Sequence, residues 1–421
     1  MPASATTAPV TPARRAAFAV IRRVFEQDAY ADRALHGEAK DLDPRERAFA
    51  MQLAFGTIQR RLTLDHLIEQ LANRRPTELD ARTLAALRLG LYQLVFLDGV
   101  AQHAIVGESV ELAKGEGGGH KLVNAVLRRA TRELPPIPSD DTPAGAAIAH
   151  SYPPWLVEMW WERFGADVTR ALLRAGNEPG ELALRANTLV MQPEELAKAL
   201  PVPTTPAGDE LPEGLVVEGR FDAHSHELWR RGAYVAQSRA SMLVARALDP
   251  QPGERVLDLC AAPGGKTTHI AALMRDSGEI VAVERHAGRA KALQRTCERL
   301  HATTVDVLVE DAARFTGDDR FDRVLVDPPC SGLGTLQGHP DLRWRATPAT
   351  IDRLATTQRN IVHAAANALK PQGTLVYSTC TLSPRENEEQ TARAGLRIAS
   401  ERLVLPHRER SDGFYIAMMQ L

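Results

Sequence analysis

From Ala13 to about Ala130, apolar residues recur three and four positions apart, as in Ala17, Val20, Ile21, Val24 and Phe25, and again in Leu84, Leu87, Leu91 and Leu94. That spacing lays one apolar stripe along a helix, so residues 13–133 are predicted to form an all-α bundle of about six helices. Breaks fall at Asp43-Pro44, at Asn73-Arg74-Arg75-Pro76 and through the glycines from Gly115 to Gly119, where helix ends and short connections are expected. Four prolines lie between Leu134 and Pro143; proline cannot continue a helix, and residues 134–150 are expected to be an extended linker. Residues 1–12 read as a disordered tail.

The pattern then becomes mixed. Trp155 to Phe164 reads as helix, Leu182-Ala183-Leu184-Arg185 as strand, and the stretch from Pro201 to Gly214, rich in Pro and Gly, as loop, giving a small α+β segment over residues 151–235. After Gly253 short β-like runs alternate with helical ones: Arg255–Leu259, Ile280–Val283, Val305–Val309, Arg323–Val326 and Thr374–Tyr377. Such alternation predicts parallel strands with crossover helices, an α/β Rossmann-like domain over residues 236–421, with ligands at the carboxyl ends of the strands.

Composition narrows the class. A chain of 421 residues, 44% of them apolar, exceeds what one core organises and calls for two or three domains. The four cysteines are at least 33 residues apart, a spacing that gives neither a disulfide framework nor a zinc site, so no metal is expected and reduced thiols in a cytoplasm fit best. No run approaches the ~18 apolar residues of a membrane span. A net charge of −2 argues against indiscriminate coating of nucleic acid while leaving room for a local basic face. A monomer is expected.

Candidate chemistry gathers at the ends of the β-like runs. Arg255–Leu259 leads into Cys260-Ala261-Ala262-Pro263-Gly264-Gly265-Lys266, where small residues let backbone N–H groups approach a ligand and a helix start offers its positive end. Gly265-Lys266-Thr267 imitates the close of an ATP-binding loop, but that motif needs glycine where this chain has Cys260. Glu284, Asp311 and Asp327 follow three successive runs. Acids at consecutive strand tips favour a ligand with hydroxyls, an amine and positive charge, which S-adenosylmethionine combines.

Two further runs end in Asp327-Pro328-Pro329-Cys330-Ser331 and Ser378-Thr379-Cys380-Thr381. A thiolate can add to C6 of a pyrimidine and make C5 nucleophilic, after which a base must take the C5 proton and the thiol must leave. Two cysteines after neighbouring strands can divide that work, and Asp327 can hydrogen-bond the cytosine edge and favour its protonated form. Cys260 and Cys297 are expected to be small buried hydrophobes instead.

These motifs, with Lys121 to Arg129, Ser151 to Leu156, Arg185-Ala186-Asn187-Thr188, His339 to Trp344 and Asp412-Gly413-Phe414-Tyr415, resemble the bacterial small-subunit ribosomal RNA cytosine-C5 methyltransferases of the NOL1/NOP2/Sun type with a NusB-like N-terminal domain. The resemblance spans nearly the whole chain. It departs at Pro328, where many relatives have alanine, at Glu284, where they have aspartate, and at residues 297–301. It implies Cys380 as the nucleophile on C6 and Cys330 as the residue assisting release. It also implies that residues 260–266, Glu284, Asp311 and Asp327 surround S-adenosylmethionine, with Arg289 and Lys266 in support. Ribosomal RNA is the implied partner, and the helical domain and the α+β segment the RNA-binding parts. Arg14, Arg15, Arg22 and Arg23 are candidate phosphate contacts on the first helix. Two alternatives stay open at this point: the same chemistry on transfer RNA or large-subunit RNA, and a non-catalytic RNA-binding assembly or antitermination factor.

Overall fold

The computed structural model describes residues 10–115, 118–219, 221–316 and 320–421, and it divides into two compact units. One contains the chain up to Asn177 together with Leu336–Arg345; the other contains Glu178–Thr335 and Ala346–Leu421. Residues 1–9 of the expected tail lie outside the described residues; of the rest, Val10 is buried and Pro12 opens the first helix.

The first unit is helical. Its elements are α1 (Pro12–Gln27), α2 (Ala31–Glu38), α3 (Pro44–Gln59), α4 (Arg61–Ala72), α5 (Ala81–Phe96), α6 (Gln102–Leu112), α7 (His120–Ala130), α8 (Pro143–His150) and α9 (Pro154–Ala175). The expected breaks have local causes. Asp43 accepts from the N–H groups of Arg45 and Glu46 at the start of α3, Asn73 closes α4 in the left-handed region, and Asp80 caps α5 through Thr83. Of the glycine-rich break, Glu116 and Gly117 lie outside the described residues. Helices α3 and α5 touch at Gly56, where a Cβ would stand 2.0 Å from the Tyr92 ring, so only glycine fits.

Three stretches differ from the expected boundaries. Pro135, Pro136 and Pro138 lie outside helix and strand, but Pro143–His150 is a helix, because Thr142 accepts from the Gly145 N–H and Pro143 fits a first helical turn. Residues 151–177 pack in the helical unit rather than in the α+β segment. The segment 336–345, which sequence places inside the Rossmann-like domain, also belongs to the helical unit. There Arg343 is fully buried, donating to the Ser151 carbonyl (3.0 Å), the Gly176 carbonyl (3.1 Å) and Asn177 Oδ1 (3.0 Å). Its guanidinium lies 3.9 Å from the Tyr152 ring centroid, and Trp344 donates to the Ile58 carbonyl at 2.7 Å.

The arginines of α1 do not line up as a phosphate-binding row. Arg14 points into the core, donating to Gln93 and Glu108 at 2.7 Å each, while Arg22 pairs with Glu26 and Arg23 with Glu38. Helical spacing forces one of four arginines in this stretch onto the apolar face, and Glu108 neutralises it there.

The second unit holds two sheets. Strands β1 (Ala183–Ala186), β2 (Thr204–Pro206), β3 (Gly214–Val217) and β4 (Tyr234–Ala236) form an antiparallel sheet in the order β2-β3-β1-β4, and β2 falls in the stretch expected to be loop. The larger sheet comprises β5 (Arg255–Leu259), β6 (Glu279–Val283), β7 (Val305–Leu308), β8 (Phe321–Val326), β9 (Leu369–Thr379), β10 (Arg397–Val404) and β11 (Phe414–Gln420). Its order is β10-β11-β9-β8-β5-β6-β7; β5 to β9 are parallel, and β10 and β11 add an antiparallel edge. From β5 the chain winds outward through β6 and β7, then returns to β8 on the other side of β5. The crevice of a doubly wound sheet therefore opens beyond the carboxyl ends of β5 and β8.

Register fixes what stands there. Leu259 aligns with Val283 on one side and Val326 on the other, and Val326 aligns with Tyr377. One residue further along each strand come Cys260, Glu284, Asp327 and Ser378, side by side.

Candidate active site

After β5 the backbone turns sharply, with Cys260 at φ 69° and Gly264 at φ 103°. A Cβ on Gly264 would approach Leu293 Cδ1 to 2.8 Å, so both the left-handed backbone and the close packing require glycine. The turn is tied down by the Ala261 N–H to the Val283 carbonyl, the Gly264 N–H to the Ala261 carbonyl, and Arg289 Nη2 to the Ala262 carbonyl at 2.7 Å. It delivers the chain into the helix Gly265–Leu273, whose first residue has open space where a Cβ would lie.

Beneath the turn Asp258 is 1% exposed. Thr267 donates to its Oδ2 at 2.6 Å, while Oδ1 is a buried oxygen with no partner among the described residues. Burial pushes this carboxyl up to about 7, with the charge of Asp327 adding to the effect. Glu284 is buried, accepts from the His286 N–H at 2.8 Å and lies 3.5 Å from Arg289. Asp311 caps a short 3₁₀ turn through the Ala313 N–H, and the neighbouring Glu310 N–H reaches the Glu284 carbonyl. Lys266 is committed to Asp327 (2.7 Å), whose other oxygen accepts from Ser378 Oγ at 3.0 Å. The structure thus gathers Cys260 to Lys266, Glu284, Arg289, Asp311 and Asp327 at one end of the sheet. Arg289 and Lys266 act on the protein's own turn and aspartate.

Cys260 is half-buried, and burial together with Asp327, Asp258 and Glu284 pushes its thiol well up. It remains a neutral thiol in the turn. Cys297 is buried in the helix Ala287–Arg299 and is pushed up to about 12 chiefly by that burial, as expected of a packing residue.

The two remaining thiols meet. Cys330 Sγ and Cys380 Sγ are 3.3 Å apart, one after β8 and the other after β9. The Gly334 N–H donates to the Cys380 carbonyl at 2.9 Å, joining the two loops through the backbone. The hydrogen bond to Cys380, then burial, then the charge of Cys380 push the Cys330 thiol well above its ordinary value. Either sulfur can serve as the donor of that contact.

Residues that sequence reasoning missed surround this pair. Ser331 and Thr381, each directly after a cysteine, are 2.7 Å apart through their hydroxyls. Both reach Glu386, which is fully buried and is also contacted by Gln358. The available signal was the hydroxyl residue after each cysteine. Glu386 itself, inside Pro384-Arg385-Glu386-Asn387-Glu388-Glu389, reads as one of several solvated acids.

A doubly wound sheet with a glycine turn after β5 and two adjacent thiols after β8 and β9 is the arrangement expected of a methyltransferase-type domain. Three family models match: "16S rRNA methyltransferase RsmB/F" over residues 245–401, "NusB family" over 11–132, and "Methyltr_RsmF/B-like, ferredoxin-like domain" over 152–224. A Synechocystis protein named "Probable ribosomal RNA small subunit methyltransferase B" is 38% identical, covering 97% of this chain and 99% of its own. The Vibrio cholerae ribosomal RNA small subunit methyltransferase B is 32% identical over 96% of each chain. The crystal structure of PH0851 superimposes with a TM-score of 0.84 at 25% identity, covering 99% of this chain. A methyltransferase homologue from Pyrococcus horikoshii does so with 0.61 at 26% identity over 67%. The chain belongs to the RsmB/F methyltransferase family and carries that family's NusB-type N-terminal domain.

Proposed function

We propose that this protein transfers a methyl group from S-adenosylmethionine to C5 of a cytosine in small-subunit ribosomal RNA, by way of a covalent bond between Cys380 and C6. The observation that carries the proposal is the 3.3 Å approach of the Cys330 and Cys380 sulfurs beside the glycine turn. The relatives' names supply the class of RNA.

The residues present fit the cofactor. Asp258 offers a buried carboxyl oxygen with no other partner among the described residues, Glu284 a carboxylate beside an arginine, and Gly265 a helix start with open space beside it. S-adenosylmethionine supplies an electrophilic methyl group. Cys260 to Lys266, Glu284, Arg289, Asp311 and Asp327 are the residues assigned to hold it.

The chain's own groups do the rest. The Cys380 sulfur forms a bond to C6, and the ring's C5–C6 electron pair moves onto C5. Asp327, held by Lys266 and Ser378, is assigned to the cytosine edge, where a hydrogen bond favours the protonated ring. Once C5 is methylated, a base at the site takes the C5 proton, the C5–H electron pair restores the C5–C6 double bond, and the Cys380–C6 bond breaks with its electron pair returning to the sulfur. Cys330 assists that release by exchanging a proton at the site, for which its 3.3 Å separation from Cys380 suits it. The NusB-type helices and the small antiparallel sheet are assigned to RNA recognition, and the cytoplasm to the site of action.

The test is transfer of tritiated methyl from S-adenosylmethionine to small-subunit RNA, followed by nucleoside analysis. Label in 5-methylcytidine supports the proposal. Label in another nucleoside, or only in transfer RNA or large-subunit RNA, overturns it.

A further inference from the structure

We infer that Glu386 is the positioning residue that sets the two thiols against one another. The inference builds on the proposed use of Cys330 and Cys380, although its first readout stands independently of it. Glu386 is fully buried, yet no arginine or lysine bonds to its carboxylate among the described residues. Its bonds are instead to the residues that follow the cysteines. The Ser331 N–H donates to Oε1 at 2.8 Å and the Ser331 hydroxyl to Oε2 at 2.5 Å, while Thr381 Oγ1 lies 3.4 Å from Oε2 and 2.7 Å from Ser331 Oγ. One side chain therefore grips the residue after each thiol.

The grip is itself braced. Gln358, on the long helix Pro348–Ala368, donates to Glu386 Oε1 at 3.2 Å and to the Pro329 carbonyl at 2.9 Å, one residue before Cys330. The Glu386 carbonyl accepts from Tyr377 at 2.6 Å, and Tyr377 lies on β9, three residues before Cys380. Cys330 is thus fixed on both flanks and Cys380 from both the strand and the turn. A buried carboxylate left without a cation is costly, and packing gives no reason to retain one between two catalytic loops. Positioning does, because addition and release at one ring need both sulfurs held to within a fraction of an ångström. Burial pushes the Glu386 carboxyl up, and the hydrogen bonds from Ser331, Gln358 and Thr381 act against that shift.

The experiment uses the full chain and phenylarsine oxide as a probe of the distance between the thiols. The reagent forms two As–S bonds, and its oxygen leaves as water with the two thiol protons, so tight one-to-one capture requires neighbouring sulfurs. Wild type is expected to bind one equivalent and to have Cys330 and Cys380 protected together from alkylation. Glu386→Gln keeps the volume but sets an NH₂ group against the Ser331 donors. It is expected to need at least ~10-fold more arsenical for the same protection and to lose ~10²-fold or more in kcat with KM for RNA little changed. Ser331→Ala, which retains the N–H bond, is expected to fall between them. Unchanged S-adenosylmethionine affinity shows that the variants are folded, since among the described residues no hydrogen bond joins Glu386 to the glycine turn. Capture and kcat both within twofold of wild type would overturn the inference. Weakened capture with undiminished kcat would support the positioning role and instead sink the catalytic use of the pair.

Discussion

Replacing Arg343 tests how the segment 336–345 is held. The side chain is 0% exposed, makes three hydrogen bonds of 3.0–3.1 Å to Ser151, Asn177 and Gly176, and stacks 3.9 Å from the Tyr152 centroid. Arg343→Ala leaves the Ser151 carbonyl and Asn177 Oδ1 without this donor, while the Gly176 carbonyl keeps Gln59 Nε2 at 3.0 Å; each lost acceptor is worth about 1–3 kcal/mol when unsatisfied, and a desolvated cation–π contact of about 2 kcal/mol is removed. Against this stands relief of the desolvation that burying a guanidinium costs, so the net expectation is about 3–5 kcal/mol. Arg343→Lys keeps charge but not the planar fork and should lose about half as much. Four of the five tryptophans, Trp155, Trp160, Trp161 and Trp344, lie in the helical unit, so their fluorescence in urea follows that unit. With a slope of about 2–3 kcal/mol/M, the midpoint should fall by about 1–2 M. Arg345→Ala is the control. It removes an ion pair to Asp28, which is 83% exposed, a hydrogen bond to the Asp28 carbonyl at 2.9 Å and a contact 4.1 Å from the Tyr30 centroid, and should cost about 1–2 kcal/mol, less than half of the Arg343→Ala change. A midpoint shift for Arg343→Ala as small as the control's would refute the reasoning that the buried fork anchors this segment.

Two other outcomes follow from the glycine turn. Asp258, raised from 3.8 to about 7 by burial, favours its protonated form in the folded state. Its contribution is fully present below about pH 4 and is lost as pH rises through 7, up to roughly 4 kcal/mol. Buried His269, lowered to about 4 by burial, works in the opposite direction over much of that range. The comparison is therefore urea stability of wild type against Asp258→Asn: their difference should change with pH between 4 and 7, and a flat difference would show the carboxyl to be unperturbed. Gly264→Ala forces a Cβ into a φ of 103° and to within 2.8 Å of Leu293. It should weaken S-adenosylmethionine binding at least ~10-fold in calorimetry, about 1–3 kcal/mol of strain; unchanged affinity would mean that the turn relaxes freely.

Much of this was legible in the chain because the physics is local. The run Arg255–Leu259 is buried on both faces and reads as a strand from its apolar residues alone; the structure gives the same limits. The helical bundle announced itself by period and by breaks such as Asp43-Pro44, where Asp43 caps the next helix. Other features depend on partners distant in sequence. Strand β10 lies at the sheet edge and is exposed over Arg397–Glu401, so it has no alternating pattern, and the short apolar run of β11 could as well be a helix. Arg14 and Arg343 look like surface charges until Glu108 and three carbonyl-type oxygens are found around them. Glu386 is the sharpest case, since its neighbours Ser331 and Gln358 are 55 and 28 residues away.

The proposed covalent bond between Cys380 and the RNA is the claim most worth a direct measurement. Cys330→Ala protein, incubated with small-subunit RNA and S-adenosylmethionine and then denatured, should retain RNA on the protein. After digestion, mass spectrometry should find a methylated cytidine on the peptide containing Cys380. The double variant Cys330→Ala/Cys380→Ala should retain none. A linkage at any other residue, or no resistant complex in a variant that still binds RNA and cofactor, would contradict the account.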